Sequence, residues 1–126
     1  MRSMTATLAG RDLTLAVTFA AAQEIAQKAG DPFAIMREAQ LEAMLAKVGQ
    51  VYHPKWNFTV ENVPQIIYSG AKAGGEKITL QEVQSLVMDA GILEAREVAI
   101  DFITMIATPS AKETLDEVEK DDAPGE

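Results

Sequence analysis

Residues 70–107 read GAKAGGEKITLQEVQSLVMDAGILEAREVAIDFITMIA. Gly70–Gly75 closes one helix. Thr79 opens another, with the Thr79-x-x-Glu82 spacing of a capping box and Ile78 and Val83 placed as a hydrophobic staple across it. Val83, Leu86, Val87 and Ala90 recur on one side of that helix, and Gly91 suits its C-terminal turn. A last helix follows over about 93–108, with Ala95, Val98, Ala99, Phe102, Ile103 and Ile106 as its inward stripe. Pro109 stops it. A helix pair punctuated this clearly needs other elements to cover its apolar faces.

Upstream, Met4–Ala9 and Leu13–Thr18 alternate threonines with Ala, Leu and Val around Gly10-Arg11-Asp12, the pattern of a β-hairpin over 4–18. Two strands alone are marginal, so the hairpin either covers one side of a helical core or offers an edge to another chain. Helix spacing returns over 19–29, with Phe19, Ala22, Ile25, Ala26 and Ala29 on one side. Asp31-Pro32 starts the next helix, Asp31 as N-cap and Pro32 in the first turn.

That helix, 32–48, has two apolar faces. Ala34, Leu41, Met44, Leu45 and Val48 share one. Ile35, Met36, Ala39, Ala43 and Ala46 lie roughly opposite. A helix apolar on two sides is either enclosed between layers or meets another chain. Capping by Thr59 or Asn62 places a further helix over about 60–73. The predicted fold is therefore α+β: an N-terminal β-hairpin packed on a four- to five-helix array, residues 1–108 forming one globular domain.

Residues 109–126 form an acidic segment predicted to be flexible, with at most a transient helix over 111–120; it reads as a solvating tail by default, or as an interaction tail that orders on a partner. Seven carboxylates against Lys112 and Lys120 give it −5 of the chain's net −8. The remainder carries no basic stripe, which argues against nucleic acid as a partner. The absence of cysteine removes disulfides, thiolate metal sites and cysteine nucleophiles. The most apolar run, 98–107, is interrupted by Asp101 and too short for a bilayer, and residues 1–12 lack a secretory apolar core. These features predict a cytoplasmic location and no membrane partner.

Residues 49–58, GQVYHPKWNF, hold the single His and the single Trp. His53 lacks a second ligand for a metal and a nucleophile for a triad, so the segment reads as an aromatic loop anchored on the core. Glu94 and Glu97 have a dinuclear-site spacing without the Glu-x-x-His that would complete it. No nucleophile elbow, zinc-protease, phosphate-loop or dinucleotide fingerprint occurs. No catalytic residue, metal ligand or cofactor is predicted.

A resemblance extends this reading. The hairpin followed by T-F-x-A-x-x-E-I (Thr18 to Ile25), S-G-A-K-A-G-G (Ser69 to Gly75), I-T-L-Q-E-V (Ile78 to Val83) and D-A-G-I-L-E-A (Asp89 to Ala95) resembles the small gene-transfer-agent and phage tail proteins of the tail-assembly-chaperone type. It spans about residues 5–107 and is weakest over 50–62. What it implies is a non-enzymatic role in tail morphogenesis within a bacterial host's cytoplasm, with the tape-measure protein as partner. Some members carry the label of tail-tube component, which implies the alternative of a structural, self-assembling and virion-associated homo-oligomer. For a chaperone, an apolar groove must accept a partner helix. The residues nominated are Ile35, Met36, Ala39 and Ala43 on the second helix, with Tyr52 and Trp56. A small-molecule-binding module using Tyr52, His53 and Trp56 is a remote third reading.

Overall fold

The computed structural model describes residues 2–108. Its order is β1 (Ser3–Leu8), β2 (Arg11–Ala16), α1 (Phe19–Lys28), α2 (Pro32–Lys47), α3 (Asn62–Ala73), α4 (Leu80–Ala90) and α5 (Ile92–Ala107). This is an α+β fold, a two-stranded antiparallel hairpin followed by five helices. The predicted flexible segment 109–126 lies outside the described residues.

The hairpin pairs Ser3 with Ala16 through Leu8 with Arg11. Its turn is Ala9-Gly10, not Gly10-Arg11-Asp12 as the sequence suggested. Both turn residues have positive φ, 50° and 80°, as the two-residue type I′ connection requires to match strand twist. Ala6, Leu8, Leu13 and Leu15 fall on one face and are buried against the helices. Ser3, Thr5 and Thr7 fall on the other and are exposed.

The centre of the molecule is α3. Eight of its twelve residues are buried, and it meets α1, α4, α5 and β2. Two glycines let it approach its neighbours. A Cβ on Gly70 would lie 2.7 Å from the Phe102 ring, and one on Gly74 would lie 2.1 Å from the Thr14 carbonyl oxygen. Just beyond, the Glu76 carboxylate accepts from the Thr14 N–H at 2.8 Å. The outer edge of β2 is thereby closed.

The remaining helices are fixed at their joints. Thr18 caps α1, its hydroxyl accepting from the Ala21 N–H at 3.0 Å. Glu24 of α1 accepts from the Ser69 hydroxyl at 2.7 Å and pairs with Lys72 at 2.6 Å, tying α1 to α3. The capping box ahead of α4 is formed in both directions, 3.1 Å to the Glu82 N–H and 3.2 Å from the Thr79 N–H. Arg2 donates to the Thr108 carbonyl at the end of α5, a cation at the negative pole of that helix. Most residues of the quoted sequence motifs are thus spent on holding elements together.

Phe19 departs from expectation. Predicted to face the core, it is 74% exposed, because α1 buries Ala21 and Ile25 instead. Of Thr18, Phe19, Ala21, Glu24 and Ile25, four have a structural task and Phe19 has none.

Candidate functional site

Among the described residues, helix α2 and its C-cap carry three largely exposed apolar side chains, Phe33, Met44 and Val48. Asp31 starts it, its carboxylate accepting from the Phe33 N–H at 3.0 Å, and Pro32 occupies the first turn. Its buried residues are Pro32, Ile35 and Glu38. From Ala39 to Val48 no residue is buried. The helix is anchored against α5 by its first half, and its second half overhangs.

Burial of Ile35 decides which way the two faces point. The Ile35, Met36, Ala39 and Ala43 face, nominated as a partner groove, turns toward α5. Ile35 is 2% exposed and belongs to the core. Met36 is half-buried near Thr104 of α5. Ala39 lines a narrow seam with Phe58, Arg96 and Ile100, a cavity of about 80 Å³. Ala43, further along the overhang, is exposed. The nominated face is therefore core at Ile35, half-buried at Met36 and exposed at Ala39 and Ala43, and Ile35 and Ala39 line one cleft with Trp56.

The outward face carries Leu41, Met44, Leu45 and Val48, spaced i, i+3, i+4 and i+7. Met44 is 56% and Val48 69% exposed, and Leu41 and Leu45 are half-buried. Phe33, exposed to 80%, starts the same side of the helix. Between Phe33 and Phe19 lies a depression of about 280 Å³, lined also by Ala22, Ala26, Pro32 and Ile106. A larger one of about 530 Å³ lies elsewhere, between the start of α3 and α4, at Val60, Pro64 and Met88. Sequence reasoning recognised the Leu41–Val48 cluster but assigned no function to it, and it sent Phe19 to the core.

Tyr52 and Trp56 are half-buried, with their polar ends committed within the chain. The Tyr52 hydroxyl donates to the buried Glu38 carboxylate, and that hydrogen bond, more than burial or charge, holds the phenol above its ordinary pKa. The Trp56 indole N–H donates to the carbonyl of Ala29, the C-cap of α1, at 2.9 Å. Its ring lies over Gly30, where a Cβ would come within 2.4 Å of the indole nitrogen. Phe58 meets Trp56 edge-on at 4.7 Å, and the Arg96 guanidinium stands 5.5 Å from the Phe58 ring. The aromatic loop therefore fills the wedge between α1, α2 and α5. It does not form a groove with Ala43, and His53 points away from it as an exposed side chain.

Among the described residues, no group of three or more His, Asp and Glu side chains is placed to hold a metal ion, and no helix is long and apolar enough to cross a membrane. No family model, curated protein or solved structure matches the chain.

Proposed function

We propose that this chain is a non-catalytic protein-binding module that receives an amphipathic helix of a partner along the outward face of α2. The observation that carries the reading is the stripe Leu41, Met44, Leu45 and Val48, with Met44 and Val48 largely exposed, on a half-helix in which none of the described residues is buried. Helix-in-groove recognition reads apolar residues at this spacing, and methionine lets such a surface adapt to a partner's shape. The resemblance of the Thr18–Ile25, Ser69–Gly75 and Ile78–Val83 stretches to tail-assembly chaperones supplies the partner. That partner is a tape-measure polypeptide, whose long helices expose apolar stripes until a tail tube surrounds them. Covering those stripes while adding acidic charge keeps the complex soluble in a bacterial cytoplasm.

Co-expression with the tape-measure polypeptide, followed by light scattering of the purified species, tests this. The expected result is a soluble complex with many copies of this chain per partner. Leu41→Asp with Met44→Asp should abolish the complex and leave helical circular dichroism unchanged. Ile35→Asp should unfold the protein. A partner that precipitates while this chain remains alone overturns the reading.

A second reading, a tail component that assembles with its own copies, is favoured by the open edge of β1. Val17 donates to the Arg2 carbonyl at 2.8 Å, and Thr14 directs its N–H away from β1. In an antiparallel ladder that alternation turns the peptide groups of Ser3, Thr5 and Thr7 outward. No charge, proline or bulge guards this strand, and such guards are how proteins ordinarily block edge pairing. Rings or tubes that form with concentration, and that vanish in Thr5→Pro, would establish it. That substitution removes an outward N–H without breaking a bond to β2.

A further inference from the structure

The hairpin has two long edges, and the fold treats them differently. On the β2 side, the Glu76 carboxylate accepts from the Thr14 N–H, and Gly74 of α3 packs against the Thr14 carbonyl. On the β1 side, the ladder turns the peptide groups of Ser3, Thr5 and Thr7 outward. Among the described residues no third strand pairs there, and all three residues are exposed. Each copy of the chain thus carries one closed strand edge and one open one. The open strand, SMTATL, has no charged side chain, although the whole chain stands at −8. Two acidic chains can meet along such a strip without setting like charges opposite one another.

We propose that two copies of this chain pair antiparallel through β1, with Thr5 on the two-fold axis, to form a four-stranded sheet in the order β2-β1-β1-β2. The register follows from the outward groups. With Thr5 opposite Thr5 of the second copy, Ser3 of each stands opposite Thr7 of the other. Every outward residue is then paired, giving about six hydrogen bonds between the copies. A slip of two residues leaves some of these groups without a partner. A slip of one sets outward peptide groups against inward ones and mixes the two faces. The side chains agree with this register. The solvent face pairs threonine with threonine and serine with threonine, which is favourable across strands. On the core face, Met4 meets Ala6 of the second copy, a long side chain beside a small one. Met4 is only half-buried where Ala6 and Leu8 of the same face are buried, so the pairing adds cover at that residue.

The closed β2 edge limits the assembly. Once β1 is paired, the described part of neither copy offers a further strand edge, and addition stops at two. The contact is isologous, the same patch used by both copies, and so it closes on itself. One strand of six residues gives less than the about 1,600 Å² of a standard interface, so the dimer exchanges with monomer and fills with concentration. The inference rests on the same open edge as the tail-component reading and differs from it in stoichiometry. Strand pairing alone gives dimers, and rings or tubes need a further contact. The helix-in-groove reading is independent of it, because the α2 stripe takes no part in the pairing.

Sedimentation velocity of the full-length protein across a wide concentration range is the measurement. The expected result is a monomer–dimer equilibrium with no larger species. Thr5→Lys brings two like charges together on the axis and should raise the dissociation constant about fivefold or more, and Thr5→Glu should do the same. An equimolar mixture of the two variants sets opposite charges across the axis and should dimerise again. Thr5 is exposed, so both variants should keep the circular dichroism of the parent. Only a contact that places residue 5 opposite its own copy gives this loss and recovery. A monomer at every concentration overturns the proposal. A dimer that Thr5→Lys leaves intact overturns it by placing the contact elsewhere, and a mixture that stays monomeric overturns the register. Species that grow beyond two copies overturn it in favour of the tail-component reading. None of these outcomes alters the co-expression test of the α2 stripe, so the two readings fail separately.

Discussion

Trp56 shows how much one side chain contributes when it closes a seam. Its ring fits because residue 30 is glycine, and its N–H occupies the Ala29 carbonyl that the end of α1 would otherwise leave unpaired. Trp56→Phe should retain most of the packing and lose that bond, costing about 1 kcal/mol in a urea titration. Gly30→Ala should cost more, about 2 kcal/mol, because the added methyl displaces the indole. Trp56 is the chain's single tryptophan, so its fluorescence should shift to the red in Gly30→Ala before any unfolding. That the loop is anchored is legible in the sequence, where three aromatic residues cluster in ten. Its anchor points are not, because a carbonyl at the end of another helix leaves no mark in composition.

At the scale of elements, local chemistry is readable and orientation is not. The capping box at Thr79 and Glu82 involves residues three apart, so the sequence contains the whole interaction. Thr79→Ala should lower stability by about 1 kcal/mol. The join between α1 and α3 is different, since Glu24 lies 48 residues from Lys72. Burial raises the pKa of the Glu24 carboxyl, but bonds from Lys72 and Ser69 outweigh it and leave the group below its ordinary 4.5. Stability from a depressed carboxyl is present above the unfolded value and is lost as pH falls through the folded one. The α1–α3 join should therefore weaken in acid below about pH 4.5. Lys72 moves the opposite way, held above its usual 10.5 chiefly by the bond it donates to Glu24. Its contribution is complete below that value and lost as pH rises past the folded pKa. Glu24→Gln should flatten the acid limb of a plot of urea midpoint against pH. An unchanged acid limb would assign the sensitivity to other carboxylates.

Helix α2 shows why orientation escaped the sequence. Its two apolar faces are nearly equal in hydrophobic content, so periodicity alone cannot choose between them. The Tyr52 hydroxyl and the Lys55 backbone N–H donate to a buried carboxylate at Glu38, on the flank of the helix that faces the loop. A charged residue on an inward flank is what a sequence reading sends to solvent. Phe19 fails for a related reason: a large aromatic at a helix start looks like core until the neighbouring Ala21 proves to be the contact.

Over the whole molecule, burial is concentrated around α3 and thins toward α2. The hairpin, α3 and α5 share Leu8, Leu13, Leu15, Ile66, Ile67 and Phe102, all fully buried. Leu15→Ala should cost about 2–5 kcal/mol and lower the cooperativity of the entire fold. Leu41→Ala should cost less, about 1 kcal/mol, in keeping with a side chain that is only half-buried. Native-state hydrogen exchange would separate the two regimes. Slow amides are expected through α3, and exchange should quicken along α2 from Ala39 to Val48.

The bond from Arg2 to the Thr108 carbonyl brings the first and last described residues side by side. The order in which the elements occur along the gene is then separable from their arrangement in space. A few glycines and serines could bridge Arg2 and Thr108, and a new opening could be cut at Gly49, an exposed turn between α2 and the aromatic loop. Such a circular permutant should fold to the same core. It would carry the overhanging half of α2 at its very C-terminus, where a fluorophore or an affinity handle could be attached beside the outward stripe.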